Sequence, residues 1–186
     1  MGATFQYVLA QGGGDEHAAR QINASSALSR HDLDGWTAFV LYAVLRLSEL
    51  DELAVQASGA RGLALAAFVE DSDYAYFVGA REGELAFRMV LEDRSAKDYR
   101  EGVWALRQCA SLSGSPSWKA DAARRVVSWA AEIRPVDVEA VLALADKDWV
   151  YATDAIEEFM DLVGVPNVGG DAIADVYRYR RGKMRG

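Results

Sequence analysis

Residues 63–91 read LALAAFVEDSDYAYFVGAREGELAFRMVL. Three runs rich in apolar residues, Leu63 to Val69, Tyr74 to Ala80 and Glu84 to Leu91, are separated by Glu70-Asp71-Ser72-Asp73 and by Arg81-Glu82-Gly83. Connectors this short and this rich in turn formers join antiparallel strands. In the third run Leu85, Phe87, Met89 and Leu91 share one face, and Glu84, Ala86, Arg88 and Val90 share the other, as the two-residue repeat of a strand requires. The stretch predicts a three-stranded antiparallel meander with one face against helices. Phe5 to Ala10 predicts one further short strand, ended by Gly12, Gly13 and Gly14.

Around this meander the chain reads as helical. Asp15 to Ser29 is expected to form a weakly amphipathic helix. Asp32 or Asp34 can cap the next one, because an Asp oxygen accepts an orphan amide of the first turn. That helix is expected from about Gly35 to Leu53. Its first half, Trp36 to Leu47, is apolar on nearly every side, which places it at the centre of the fold. A buried strand is the competing reading, but Ala and Leu outnumber the β-branched residues there. After the sheet, Ser95 can cap a helix aligning Tyr99, Val103, Leu106 and Ala110. Ser115-Pro116 opens another, which aligns Trp118, Ala122, Val126, Trp129 and Ile133. Val136 to Ala145 and Asp148 to Val163 follow, the last stopped by Gly164 and Pro166. The expected fold is α+β: a small antiparallel meander of about three to four strands against about five or six helices, one of them central and apolar. Residues 1–176 form one domain, and 177–186 a basic C-terminal tail.

Length and composition agree with a single domain. A chain of 186 residues can bury about 70% of its unfolded surface without covalent staples. It is 51% hydrophobic and 26% charged, the balance of a folded globular protein. Cys109 is the sole cysteine, so no intrachain disulfide can form. Met1 to Gln11 lacks the pattern of a signal peptide, and Gln6 stands where a myristoylation signal wants Ser or Thr. The most apolar stretch is far short of the roughly 20 residues of a membrane span. These features predict a cytoplasmic protein with no membrane association.

Charge carries the functional reading. Residues 136–175 hold ten carboxylates against one cation, Lys147, and residues 176–186 then hold Arg178, Arg180, Arg181, Lys183 and Arg185. The net charge of −8 disfavours nucleic acid, whose phosphates are bound by Lys and Arg, and favours basic partners. Within the final long helix, Asp154, Glu157, Glu158 and Asp161 are spaced i, i+3, i+4, i+7, so they share one face opposite Trp149, Ala152, Ile156, Phe159, Met160 and Val163. Such a face is solvated, met by Arg124, Arg125 or Arg134 of a neighbouring helix, a docking stripe, or a metal site, for which no histidine follows His31. Glu70, Asp71 and Asp73 form a second acidic patch at a hairpin tip, with Tyr74 and Tyr76 beside it as contact area.

No cofactor or metal is implied. The glycine run lacks the Lys-Ser/Thr of a phosphate-binding loop, and Asp15 and Glu16 follow it. His17 and His31 sit in no metal spacing, and Cys109 falls near an apolar stripe, where a thiol is inert. The tryptophans read as core.

The first reading is a non-enzymatic protein-binding module docking on a basic surface. In charge and size it is similar to bacterial immunity proteins and other acidic inhibitors of basic effectors. A small-molecule binder or enzyme with a pocket between sheet and helices is the second reading. A homo-oligomer, in which the tail of one copy meets the acidic helices of another, is the third.

Overall fold

A computed structural model describes residues 4–11, 22, 27–41, 45–70, 74–91, 97, 100–113, 117–149, 151–168, 170 and 174, with the side chains of residues 27, 28, 70, 112 and 113 left out. Its strands are β1 (Phe5–Gln11), β2 (Ala27–Leu33), β3 (Trp36–Leu41), β4 (Leu63–Glu70), β5 (Tyr74–Arg81) and β6 (Glu84–Leu91). Its helices are α1 (Leu47–Ser58), α2 (Arg100–Ser113), α3 (Trp118–Ala130), α4 (Val138–Asp146) and α5 (Ala152–Val163). The fold is α+β, with one antiparallel sheet ordered β2-β3-β1-β4-β5-β6.

Among the described residues the sheet is larger than expected, six strands rather than three to four, and helices cover both of its faces. Burial follows the pleat. In β1, Phe5, Tyr7 and Leu9 face one core, while Val8 and Ala10 face the other. In β4, Leu63, Leu65, Ala67 and Val69 face the first, and Ala64, Ala66 and Phe68 the second. The first core is closed by α3, α4 and α5, through Val126, Trp129, Val141, Ile156, Phe159 and Met160 among others. The second is closed by α1 and α2, through Leu47, Leu50, Ala54, Ala57, Ala105 and Cys109.

The central apolar helix over Gly35 to Leu53 is not formed. Trp36–Leu41 is a strand, fully buried, and the helix begins only at Leu47. A strand covered on both faces loses its polar alternate residues, so its sequence is apolar throughout, as a buried helix would be. Trp36, Thr37, Phe39 and Val40 nevertheless have the side chains that strands favour. Asp32 and Asp34 cap no helix. Leu33 pairs with Trp36 across a two-residue Asp34-Gly35 loop, with Gly35 at φ 71°. Asp32 accepts from the Arg30 guanidinium at 2.9–3.0 Å and from Thr37 Oγ1 at 3.2 Å. Likewise the end of the helix expected over Asp15 to Ser29 is strand, since β2 starts at Ala27; residues 12–21 and 23–26 lie outside the described residues. So do Ser95, Ser115-Pro116 and the tail 177–186.

Two local devices fix the sheet against its covers. Buried Gln6 in β1 clasps the backbone of Leu45 from both sides, its amide donating to the carbonyl at 2.7 Å and its oxygen accepting the N–H at 2.9 Å. That contact sets the entry to α1. On the other face, the register between β5 and β6 shifts at Gly79/Ala80. The carbonyl of Ala80 there accepts the Trp129 indole N–H at 2.9 Å, which ties α3 to the irregularity. Phe87 lies across Gly79 and meets Trp129 edge-on at 5.4 Å, while Phe77 stacks on Phe159 at 4.2 Å.

A Cβ at Gly79 would stand 2.0 Å from Phe87 Cε1. Overpacking of this kind costs about 1–3 kcal/mol. Gly79→Ala is therefore expected to lower the unfolding free energy measured by urea titration by that amount, with a matching fall in the midpoint. The double variant Gly79→Ala/Phe87→Leu should lose less than the sum of its two single variants, because the clash goes with the ring.

Candidate functional sites

The acidic stripe of α5 forms as its spacing requires. Asp154, Glu157, Glu158 and Asp161 are exposed, while Ala152, Ala155, Ile156, Phe159, Met160 and Val163 are buried against the sheet. The helix ends at Gly164 in the left-handed conformation, φ 76°, under the aliphatic part of Arg134. Arg134 donates to the backbone carbonyl of Asp161 at 3.0 Å, so it serves the helix end and leaves the Asp161 carboxylate alone. Arg124 pairs within its own helix, with Asp121. Lys147 pairs with Glu158 and sits over the Trp149 ring at 4.2 Å. Among the described residues, then, Glu158 is the stripe's one neutralised member, and Asp154, Glu157 and Asp161 have no ion-pair partner.

Beside the stripe runs a groove between α4 and α5, about 540 Å³ in volume. Ala140, Ala143, Leu144 and Leu162 give it an apolar floor, and Glu158, Asp161 and Lys147 stand at its rim. Tyr151, immediately before α5, is 56% exposed and is the one large apolar side chain so exposed among the described residues.

The acidic side chains of the second patch fall outside what the structure describes. Glu70 belongs to β4, and its side chain, with Asp71 and Asp73, lies outside the described residues. Tyr74 and Tyr76 are fully buried and cannot supply a contact surface. Their positions in β5 face the core under α1 and α2. A tyrosine alternating along a strand suits a half-solvated face and a covered one equally, and here the covering helices decide. Of the histidines, His31 is half-buried on β2 with its Nε2 3.0 Å from Ser29 Oγ, and His17 lies outside the described residues. Cys109 is buried, and burial pushes its thiol up to about 12. Trp36 and Trp129 are core residues, whereas Trp104, Trp118 and Trp149 are half-buried and packed on the two cores. Among the described residues no group of three or more His, Cys, Asp and Glu side chains could hold a metal ion, and no helix is long and apolar enough to cross a membrane.

A site that sequence reasoning missed lies on the opposite face. Asp51 of α1 points at the sheet, with 9% of its side chain exposed. It accepts the Tyr76 hydroxyl at 2.6 Å on one oxygen and Arg88 Nε at 2.8 Å on the other. Tyr76 in turn meets the Trp104 ring edge-on at 6.3 Å. The Asp51–Arg88 pair borders a cleft of about 460 Å³ whose walls include Val55, Leu85 and Trp104. The only sequence signal was Asp51 itself, an acid on the buried side of an amphipathic helix. No family model, curated protein or solved structure matches the chain.

Burial raises the Asp51 carboxyl above its ordinary 3.8, since lost hydration outweighs what the Tyr76 hydroxyl and the Arg88 guanidinium return. The folded chain then holds this proton more tightly than the unfolded chain. Stability from this group is greatest below 3.8 and falls as pH rises through the raised value. Relative to Asp51→Asn, which cannot ionise, the wild type should lose thermal stability as pH climbs through that window. A relative gain would show that the ion pair outweighs burial.

Proposed function

We propose that this protein is a non-enzymatic binding module, inhibitor- or immunity-like in character, that docks on a basic protein surface through the outer side of α5. The observation that carries the reading is the set of exposed carboxylates Asp154, Glu157 and Asp161 with no ion-pair partner among the described residues. Like charges at i+3 and i+4 cost an isolated helix a few tenths of a kcal/mol per pair, a cost that a cationic partner reverses. The α4–α5 groove supplies apolar area next to the charges, and Tyr151 takes the role of aromatic anchor for which Tyr74 and Tyr76 are too deep. Complementary charge raises the association rate and selects the partner, and the apolar contacts hold it. A second reading, a small-molecule binder with a pocket between sheet and helices, is supported by the cleft beside Asp51 and Arg88.

The test uses a partner captured from extracts of the native host by the immobilised chain. Its association rate should fall at least about tenfold as salt rises from about 0.05 to 0.5 M, because exposed charges are screened over that range. The triple variant Asp154→Lys/Glu157→Lys/Asp161→Lys should slow association by a similar factor while its circular dichroism is unchanged. A rate indifferent to both salt and charge reversal refutes docking through this face. Tyr151→Ala should leave the association rate nearly constant and speed dissociation.

A further inference from the structure

The Asp51–Arg88 pair is costly as a structural tie. Moving both charges out of water is repaid only partly by their attraction, and two apolar side chains would join α1 to β6 without that cost. Its geometry also leaves capacity unused. Arg88 gives Nε to Asp51, and among the described residues neither terminal nitrogen of the guanidinium has a hydrogen-bond acceptor. Asp51 is held from its far side by Tyr76, so the guanidinium is oriented before anything binds. Arg88 is 15% exposed and lines the cleft.

The cleft has the size and composition of a small-ligand site. Its volume of about 460 Å³ lies within the roughly 300–1,000 Å³ of such pockets. Val55 and Leu85 make apolar wall, and Trp104, packed on Tyr76, offers a flat ring. Glu52 stands at the exposed rim with its charge felt by Asp51, whereas Asp51 itself is already matched by Arg88. The strongest unmet demand inside is thus for an acceptor that can take two parallel N–H bonds, which is the geometry of a carboxylate.

We infer that the cleft between α1, β6 and α2 binds a small organic carboxylate with a flat apolar body, its carboxylate on the Arg88 guanidinium and its body against Trp104. Asp51 and Tyr76 act as positioning residues. The site lies on the opposite face of the sheet from α5, so it stands or falls independently of the docking surface.

The experiment is a titration of the ¹⁵N-labelled full chain with phenylacetate and indole-3-acetate, followed at the Trp104 indole resonance, which Trp104→Phe assigns. Saturable shifts below about 10 mM are expected, a range accessible to small ligands. Phenylacetamide and phenethylamine should bind at least about tenfold more weakly, since neither presents two acceptor oxygens to a guanidinium. Arg88→Lys keeps the charge and removes the fork, and should weaken the carboxylates by at least about tenfold. Val55→Trp fills the cleft while leaving both members of the ion pair in place in the sequence, and should abolish the shift even if Arg88→Lys fails to fold. The proposal is overturned if no carboxylate gives a saturable shift, if the amine or amide binds as well, or if binding survives in folded Arg88→Lys or in Val55→Trp.

Discussion

The structure depends on one constraint: the sheet is covered by helices on both faces. Because side chains alternate across a strand, β1, β4 and β5 must be apolar at nearly every position, and they are. The two cores this creates share the sheet as a common wall, so a change in one strand is felt on both sides. Charged side chains are thereby largely kept from the middle of the molecule. They stand on the outer sides of the helices, as on α5, and where the helical cover is incomplete, as beside β6.

The margin at β6 shows how the cover is held. Trp129 reaches from α3 to the carbonyl that the β5–β6 irregularity leaves for it, and Phe87 fills the space that Gly79 leaves empty. On the reverse face of the same two strands, α1 adds a charged contact to its apolar ones, with Asp51 bonded to Tyr76 and Arg88. The same pair of strands thus carries an aromatic lock on one side and a buried ion pair on the other.

Much of this was legible in the sequence, and the exceptions have physical causes. The strand positions from Leu63 to Leu91 read correctly because their turns are short and marked: Glu82 and Gly83 both take positive φ, 52° and 78°, between paired Arg81 and Glu84. Their faces did not all read correctly, since helices cover both sides and the shift at Gly79/Ala80 turns Leu85 to the second core and Ala86 to the first. The stripe of α5 was legible because one face of a surface helix stays wet. Trp36 to Leu41 was not, since coverage on both faces erases the two-residue period. The Asp34-Gly35 pair was the available signal for a hairpin. Tyr74 and Tyr76 were misplaced because alternation tells which face a residue takes, not what covers it. The cleft was invisible for a different reason. Asp51 and Arg88 are 37 positions apart, and only the antiparallel order of the sheet brings α1 over β6.

The solitary cysteine has a consequence for how the protein opens. Cys109 is packed beneath α2 at 2% exposure, and its sulfur is almost wholly protonated at neutral pH. Alkylating reagents need the thiolate and a path to it, and the native packing withholds both. Labelling at that sulfur therefore registers only excursions that lift α2 from the sheet. The chain thus carries its own kinetic gauge of transient unfolding on that side, with no engineered probe.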